Sequence, residues 1–346
     1  MRTALRAAVA ATTALVLATL PATVPASASA SPEAAAAAAA AGLSRYRISS
    51  VYVAGVSSGG YMATQLQVAY SSRIAGTAVF AAGPYYCAQN NVAQALNGCG
   101  NNISPTYLST LEADTRLWAT YGWIDPVRNL AGKPVYLFHG NGDTSVKKSV
   151  NDDLATYFRD FGASVRYDTA SPAGHAWVTP YGPVACASTA SPYLNTCGTD
   201  PQRDLLTKLY GAVSAPNTGT PRGTRVQFNQ STYAVNGYAP GLSMDGSGFV
   251  YVPSTCAAGQ SCRLLVALHG CVQGYGAVGT AFVDKANLNQ YADTNNTIVL
   301  YPQAAASAVN PNGCWDWWGY LGATNYPIKG GAQLETIMNM VRQLGG

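Results

Sequence analysis

The chain has 346 residues, 48% of them hydrophobic and only 10% charged, against roughly a quarter charged in an ordinary globular domain. Of its 20 basic side chains, Arg2 and Arg6 lie in the first thirty residues, so 18 face 16 acidic ones over the remainder. That balance, with no Lys/Arg cluster interleaved with aromatics, excludes a nucleic-acid or other polyanion-binding protein.

Residues 1–30 read as a secretory signal. Arg2 and Arg6 precede a short apolar run, Ala7 to Leu20, and Ala26-Ser27-Ala28 or Ala28-Ser29-Ala30 supplies a small-x-small cleavage site. The run is too short for a membrane span, and nothing later resembles one. Residues 31–44, with the tract Ala34 to Ala41, read as a disordered leader. Residues 45–346 then have the size and pattern of one α/β domain.

Arg47 to Ala54 is a β-branched, aromatic strand that ends at Gly55-Val56-Ser57-Ser58-Gly59. Gly60 to Tyr70 follows as a helix with Met62, Leu66 and Ala69 on one face. Gly76 to Ala82 and Pro134 to Phe138 are continuous apolar runs, the pattern of buried parallel strands. Asp152 to Phe161 reads as a helix and Ser164 to Asp168 as a strand. Such alternation indicates βαβ units and a mostly parallel sheet flanked by helices. Residues 211–224 have the Pro/Gly/Ser/Thr composition of a linker. Beyond it, Thr224 to Phe228, Gly248 to Val252, Leu264 to Leu268 and Thr297 to Tyr301 read as strands. Val283 to Ala292 and Gln333 to Leu344 read as helices.

Gly-x-Ser-x-Gly carries chemistry when it joins a strand to a helix, because the serine then sits on a sharp turn whose glycines avoid neighbouring elements. Ser57 is therefore the candidate nucleophile. It needs a base, and the base needs an orienting acid. Among three histidines, only His175 preserves the order Ser…Asp…His of an α/β-hydrolase. His139 and His269 each precede a glycine at a strand end, where a packed structural histidine is usual. Asp143 directly follows an apolar strand, at the sheet edge where sites assemble. Asp152, Asp153 and Asp160 fall on a helix, and Asp125 precedes a proline as a turn residue would.

A developing oxyanion needs two preorganised donors. Ser58 N–H, the amide after the nucleophile, is one. The second comes from the loop after the strand Leu264 to Leu268, where Cys271 N–H is the candidate. In an ordinary α/β-hydrolase that strand precedes the nucleophile; here it comes last. The chain thus reads as a circularly permuted α/β-hydrolase fold, its joint at about 211–224.

Eight cysteines in an exported chain point to four disulfides. Proximity favours Cys87–Cys99, Cys186–Cys197 and Cys256–Cys262, which leaves Cys271–Cys314. No C-x-x-C spacing occurs, so neither a zinc site nor any other metal or cofactor is expected.

Gly55-Val56-Ser57-Ser58-Gly59-Gly60-Tyr61-Met62, Gly83-Pro84-Tyr85-Tyr86-Cys87, Gly174-His175-Ala176-Trp177, Leu268-His269-Gly270-Cys271 and Asn310-Pro311-Asn312-Gly313-Cys314-Trp315-Asp316-Trp317-Trp318 together resemble the extracellular poly(3-hydroxybutyrate) depolymerases. Their order is similar to that of the single-domain, circularly permuted fungal type. The resemblance implies a secreted serine esterase acting on short-chain polyesters. Ser57, Asp143 and His175 would be its triad, and the Ser58 and Cys271 amides its oxyanion hole. No fibronectin-like linker or separate polymer-binding domain follows, so adsorption would fall to the catalytic domain itself. Trp315, Trp317, Trp318 and Tyr320 are candidate polymer contacts, with an aromatic core cluster as the alternative. Trp177, beside the base, is expected to border the substrate path. The expected partners are the solid polyester and its oligomers, and the expected state is a monomer. Two competing readings are a feruloyl or acetylxylan esterase and a binding protein on an inactive hydrolase scaffold.

Overall fold

The computed structural model describes residues 42–103 and 107–346. The expected signal and most of the expected leader lie outside these residues. The leader's last part is not disordered, as the sequence had suggested. Leu43 is 4% exposed, its N–H donates to the Tyr233 hydroxyl (2.6 Å), and its carbonyl accepts from Gln343 Nε2 (2.9 Å). Burial of one leucine with both backbone groups satisfied orders the chain before residue 45.

Strands β1 (Ile48–Val56), β2 (Ile74–Phe80), β3 (Pro134–Phe138) and β4 (Ser164–Asp168) precede the linker. Short strands β5 (Trp177–Val178), β6 (Val184–Ala185) and β7 (Leu194–Thr196) form a separate three-stranded sheet. After the linker come β8 (Thr224–Asn229), β9 (Ser247–Val252), β10 (Cys262–Leu268) and β11 (Thr297–Tyr301). The main sheet runs β4-β3-β2-β1-β10-β11-β9-β8. Its first six strands are parallel, and β9 and β8 close one edge in antiparallel fashion. At the centre β10 lies beside β1 with Leu268 opposite Gly55. Ser49 Oγ donates to Cys262 O across this seam, between residues 213 positions apart.

Residues 211–224 therefore connect strands of one sheet. Asn217 N–H donates to Gln290 O (2.8 Å), while Asn217 Nδ2 and Arg222 N–H both reach the Asp293 carboxylate (2.9 and 2.8 Å). Among the described residues the helices of eight residues or more are α1 (Ser58–Ala69), α2 (Leu108–Thr120), α3 (Lys148–Asp160), α4 (Pro201–Tyr210), α5 (Leu288–Asn295) and α6 (Ala332–Leu344). Residues of α1, α3 and α6 pack on one face of the sheet, and those of α4 and α5 on the other. All twelve residues of α1 are buried, so its apolar side is not confined to Met62, Leu66 and Ala69. Two of its polar side chains bond internally, Thr64 Oγ1 to Gly60 O and Gln65 Nε2 to Asp316 O, whereas Ser58 Oγ and Gln67 Oε1 are buried without a partner. The helix expected over Val283 to Ala292 is broken at Asn287, whose φ of 61° interrupts it before α5.

Candidate active site

Ser57, Asp143, His175 and Cys271 all follow the carboxyl ends of neighbouring parallel strands, where open α/β sheets assemble their sites. Ser57 turns the chain from β1 into α1 with φ 56° and ψ −125°. A non-glycine residue held there stores on the order of 1–3 kcal/mol of strain. Its N–H bonds Phe80 O at 2.9 Å, continuing the sheet past the strand end. The flanking glycines allow the turn: a Cβ on Gly55 would lie 2.1 Å from Gly59 O, and one on Gly59 2.3 Å from Leu268 O.

Asp143 is buried. Its Oδ1 accepts the Ser145 and Val146 N–H groups (2.8 and 3.0 Å), and its Oδ2 accepts from His175 Nδ1 (2.7 Å). Burial pushes this carboxyl up, but the His175 hydrogen bond and charge, with the two amides, outweigh it and hold it below the usual carboxylate range. An ionised carboxylate fixes the His175 proton on Nδ1 and leaves the Nε2 lone pair available. The backbone of the base is braced as well: His175 N–H donates to Thr189 Oγ1 (3.0 Å), in a loop stapled by Cys186–Cys197.

Two cavities meet at Ser57. One, of about 270 Å³, is lined by His175, Thr189, Tyr193 and Gly270 to Gln273. The other, of about 160 Å³, is lined by Ser58, Tyr61, Leu96, Val146 and Trp317. Ser57, Ser145, His175 and Cys271 border both. Ser58 heads α1, so its N–H has no partner within the helix. Across from it the Gly270 N–H is held by Gln273 Oε1 at 2.8 Å. Among the described residues no hydrogen bond engages the Cys271 N–H. Cys271 is joined to Cys314, and Cys87–Cys99, Cys186–Cys197 and Cys256–Cys262 are the other disulfides among the described residues.

The remaining histidines are packed. His139 Nε2 donates to Val146 O (2.8 Å), bracing the turn that feeds Asp143. His269 accepts Ala304 N–H at Nε2 (3.0 Å) and donates from Nδ1 to Gly270 O (2.6 Å). Burial pulls its pKa down to about 4, so this ring is neutral at neutral pH.

The aromatic candidates divide. Trp317 is half-buried, stacks on Tyr61 at 3.9 Å and lines the smaller cavity, where its Nε1 is buried without a hydrogen-bond partner. Trp177 does not border the substrate path. It is 0% exposed, sits between Phe80 and Phe282, and donates Nε1–H to Ala286 O (3.1 Å). Trp315 is also fully buried, and its Nε1–H holds His269 O at 2.9 Å. Tyr320 turns its hydroxyl inward to Cys314 O, with Asn310 and Gln333 donating to it. Trp318 packs edge-on against Trp317 and against Tyr320, and lines neither cavity. The polar groups of Trp177, Trp315 and Tyr320 are thus spent inside the protein. Trp317 alone of the five borders the site.

No family model matches the chain. The poly(3-hydroxybutyrate) depolymerase of Delftia acidovorans is 43% identical over 295 residues, spanning 84% of this chain and 58% of that protein's length. The polyhydroxybutyrate depolymerase of Talaromyces funiculosus is 40% identical over 315 residues, 86% of this chain and 89% of that protein. This chain belongs to the polyhydroxybutyrate depolymerase family. Among solved structures, the PHB depolymerase of Penicillium funiculosum superposes with a TM-score of 0.81 at 37% identity, covering 88% of this chain and 98% of that one. A serine-to-alanine PHB depolymerase variant complexed with an R3HB trimer gives the same figures. These comparisons give a carbohydrate esterase no support.

Ser145, Thr189, Tyr193 and Gln273 also line the larger cavity, and none was a candidate from the sequence. No local motif marks them: Thr189, Tyr193 and Gln273 bond segments distant in sequence, and Ser145 enters through its N–H to Asp143.

Proposed function

We propose that this protein is a secreted serine esterase that hydrolyses poly(3-hydroxybutyrate) and related short-chain polyesters through an acyl-enzyme. The carrying observation is the Asp143–His175 hydrogen bond, with His175 and Ser57 lining the same two cavities. In this reading Ser57 Oγ attacks the ester carbonyl as His175 Nε2 takes its proton. The tetrahedral oxyanion is held by the Ser58 and Cys271 amides. Collapse expels the hydroxyl end of the departing chain, which receives the proton from His175. Water then repeats the sequence on the acyl-enzyme and frees the acid.

The polymer reading draws on the cavities' arrangement and on the family relatives' substrate. Two lobes either side of one nucleophile suit a chain passing across it, and the unpartnered Trp317 N–H suits the carbonyl of a neighbouring ester unit. Leu96 and Val272, 63% and 37% exposed, flank the two lobes and would meet the solid. With few charges nearby, adsorption should depend little on salt. Purified protein should clear a poly(3-hydroxybutyrate) suspension and release monomer or short oligomers. Release of ferulate or acetate from plant polysaccharide with no clearing would overturn the polyester reading.

A further inference from the structure

The oxyanion amide and the catalytic base come from segments on opposite sides of the chain, Gly270 to Gln273 and Gly174 to Trp177. One side chain spans them. Gln273 is 1% exposed and uses both ends of its amide: Oε1 accepts the Gly270 N–H (2.8 Å), and Nε2 donates to Pro192 O (3.1 Å) and Tyr193 O (2.9 Å). Tyr193 O also accepts the N–H of Trp177, two residues beyond the base (3.0 Å). Within the same 189–193 segment, Thr189 Oγ1 accepts the N–H of His175 itself (3.0 Å). The segment thus holds the base's backbone at two points and the oxyanion loop at a third.

The aim of the Cys271 N–H is set by the peptide it belongs to. A trans peptide places that N–H opposite the Gly270 carbonyl, and His269 Nδ1–H pins this carbonyl at 2.6 Å. Gln273 pins the preceding N–H. Both faces of Gly270 are therefore held, one by the core histidine and one by a residue anchored to the opposite wall of the cavity. We propose that Gln273 is a positioning residue that keeps the Cys271 oxyanion donor in register with His175 across the catalytic cavity. It touches no reacting atom.

This rests on the serine-esterase reading, and the test uses a soluble ester so that the two can fail separately. The probes are p-nitrophenyl butyrate and 1-butaneboronic acid, whose tetrahedral adduct on Ser57 imitates the oxyanion state. Gln273→Leu removes all three bonds. Gln273→Glu keeps the shape and an acceptor for Gly270 N–H but cannot donate to the far wall, and it serves if the leucine variant fails to fold. In both, kcat should fall about ten- to a hundred-fold, less than the ~10²–10³-fold for outright loss of an oxyanion donor. Boronate affinity should fall in parallel, with KM within about two-fold of the parent. A merely structural role would lower Tm and leave kcat and boronate affinity, both measured well below Tm, unchanged; that result overturns the proposal, as does a loss confined to KM. If the parent cleaves the soluble ester but not the polymer, the polymer reading fails and this one stands.

Discussion

Replacing Asp143 by asparagine tests the electrostatics of the site with almost no change of shape. The carboxylate spends one oxygen on two turn amides, Ser145 and Val146, and the other on His175 Nδ1. Asparagine has a single oxygen, and the two amide donors claim it. The NH₂ group must then occupy the position of Oδ2 and point its hydrogens at His175 Nδ1. To accept from it, the imidazole must move its proton to Nε2, which can then no longer take the proton of Ser57. A wrong-tautomer base of this kind lowers kcat by about 10⁴-fold, or about 5 kcal/mol of barrier. The two turn bonds survive, so the loss of stability should be limited to one charge-assisted bond, about 1.5–3 kcal/mol. Hydrolysis of p-nitrophenyl butyrate measures the first effect and circular-dichroism melting the second. An Asp143→Asn enzyme within about ten-fold of the parent kcat would refute the assigned acid and the tautomer argument together.

Ser57→Ala and His175→Ala should each lower kcat by at least ~10⁴-fold with melting little changed, since the members of a triad act as a unit; near-native turnover by His175→Ala would remove it as the base. Non-reducing peptide mapping should recover Cys271 joined to Cys314, and replacing both by alanine should cost about 2–5 kcal/mol on chemical denaturation. Trp317→Phe keeps the stack on Tyr61 but removes the unpartnered N–H; cleavage of ester trimers should fall about ten-fold relative to p-nitrophenyl butyrate, and an unchanged ratio would show that the N–H meets no substrate. Burial lifts the Asp316 carboxyl to about 6, despite the amides of Tyr320, Gly319 and Leu321. The folded state then holds a proton that the unfolded state releases, so this group's contribution to stability should decline as pH rises from about 4 to 6, and denaturation of Asp316→Asn beside the parent across that range should show the loss of that contribution.

What could be read in the sequence depended on how local each signal was. β3 and β11 were bounded to the residue because continuous apolar or β-branched runs end abruptly, and β4 because Val165 and Tyr167 alternate with polar Ser164, Arg166 and Asp168. Helix α2 was missed because only Leu111 and Thr115 of its thirteen residues are buried, too few to mark a stripe. Helix α4 carries a local start signal in Asp200, which caps Arg203 N–H, and Pro201 in its first turn. Ser57, Asp143 and His175 stood out as the proposed triad because a serine hydrolase restricts residue type and order. The aromatics did not sort themselves that way. Trp177 and Trp317 look alike as text, and only the packing of Phe80 and Phe282 around one, and the cavity beside the other, separates them. Gln273 had no signal at all, since the partners that tie its Nε2 across the cavity lie 80 and 81 positions away.

The permuted order of the chain costs the site nothing because its geometry is set by strand adjacency. β1 ends in the turn of the proposed nucleophile and β10 in the proposed oxyanion loop, and the two strands are hydrogen-bonded neighbours with Gly55 opposite Leu268. That register brings Gly59 so close to Leu268 and His269 that no side chain fits between α1 and the end of β10. The distance between the Ser58 and Cys271 amides is therefore fixed by two parallel strands and a glycine contact, whichever strand is made first. A connection may be cut and another opened anywhere that leaves this register intact. The 211–224 segment does so: it runs along α5, anchored at Gln290 and Asp293, well away in sequence from every loop that carries a reacting group.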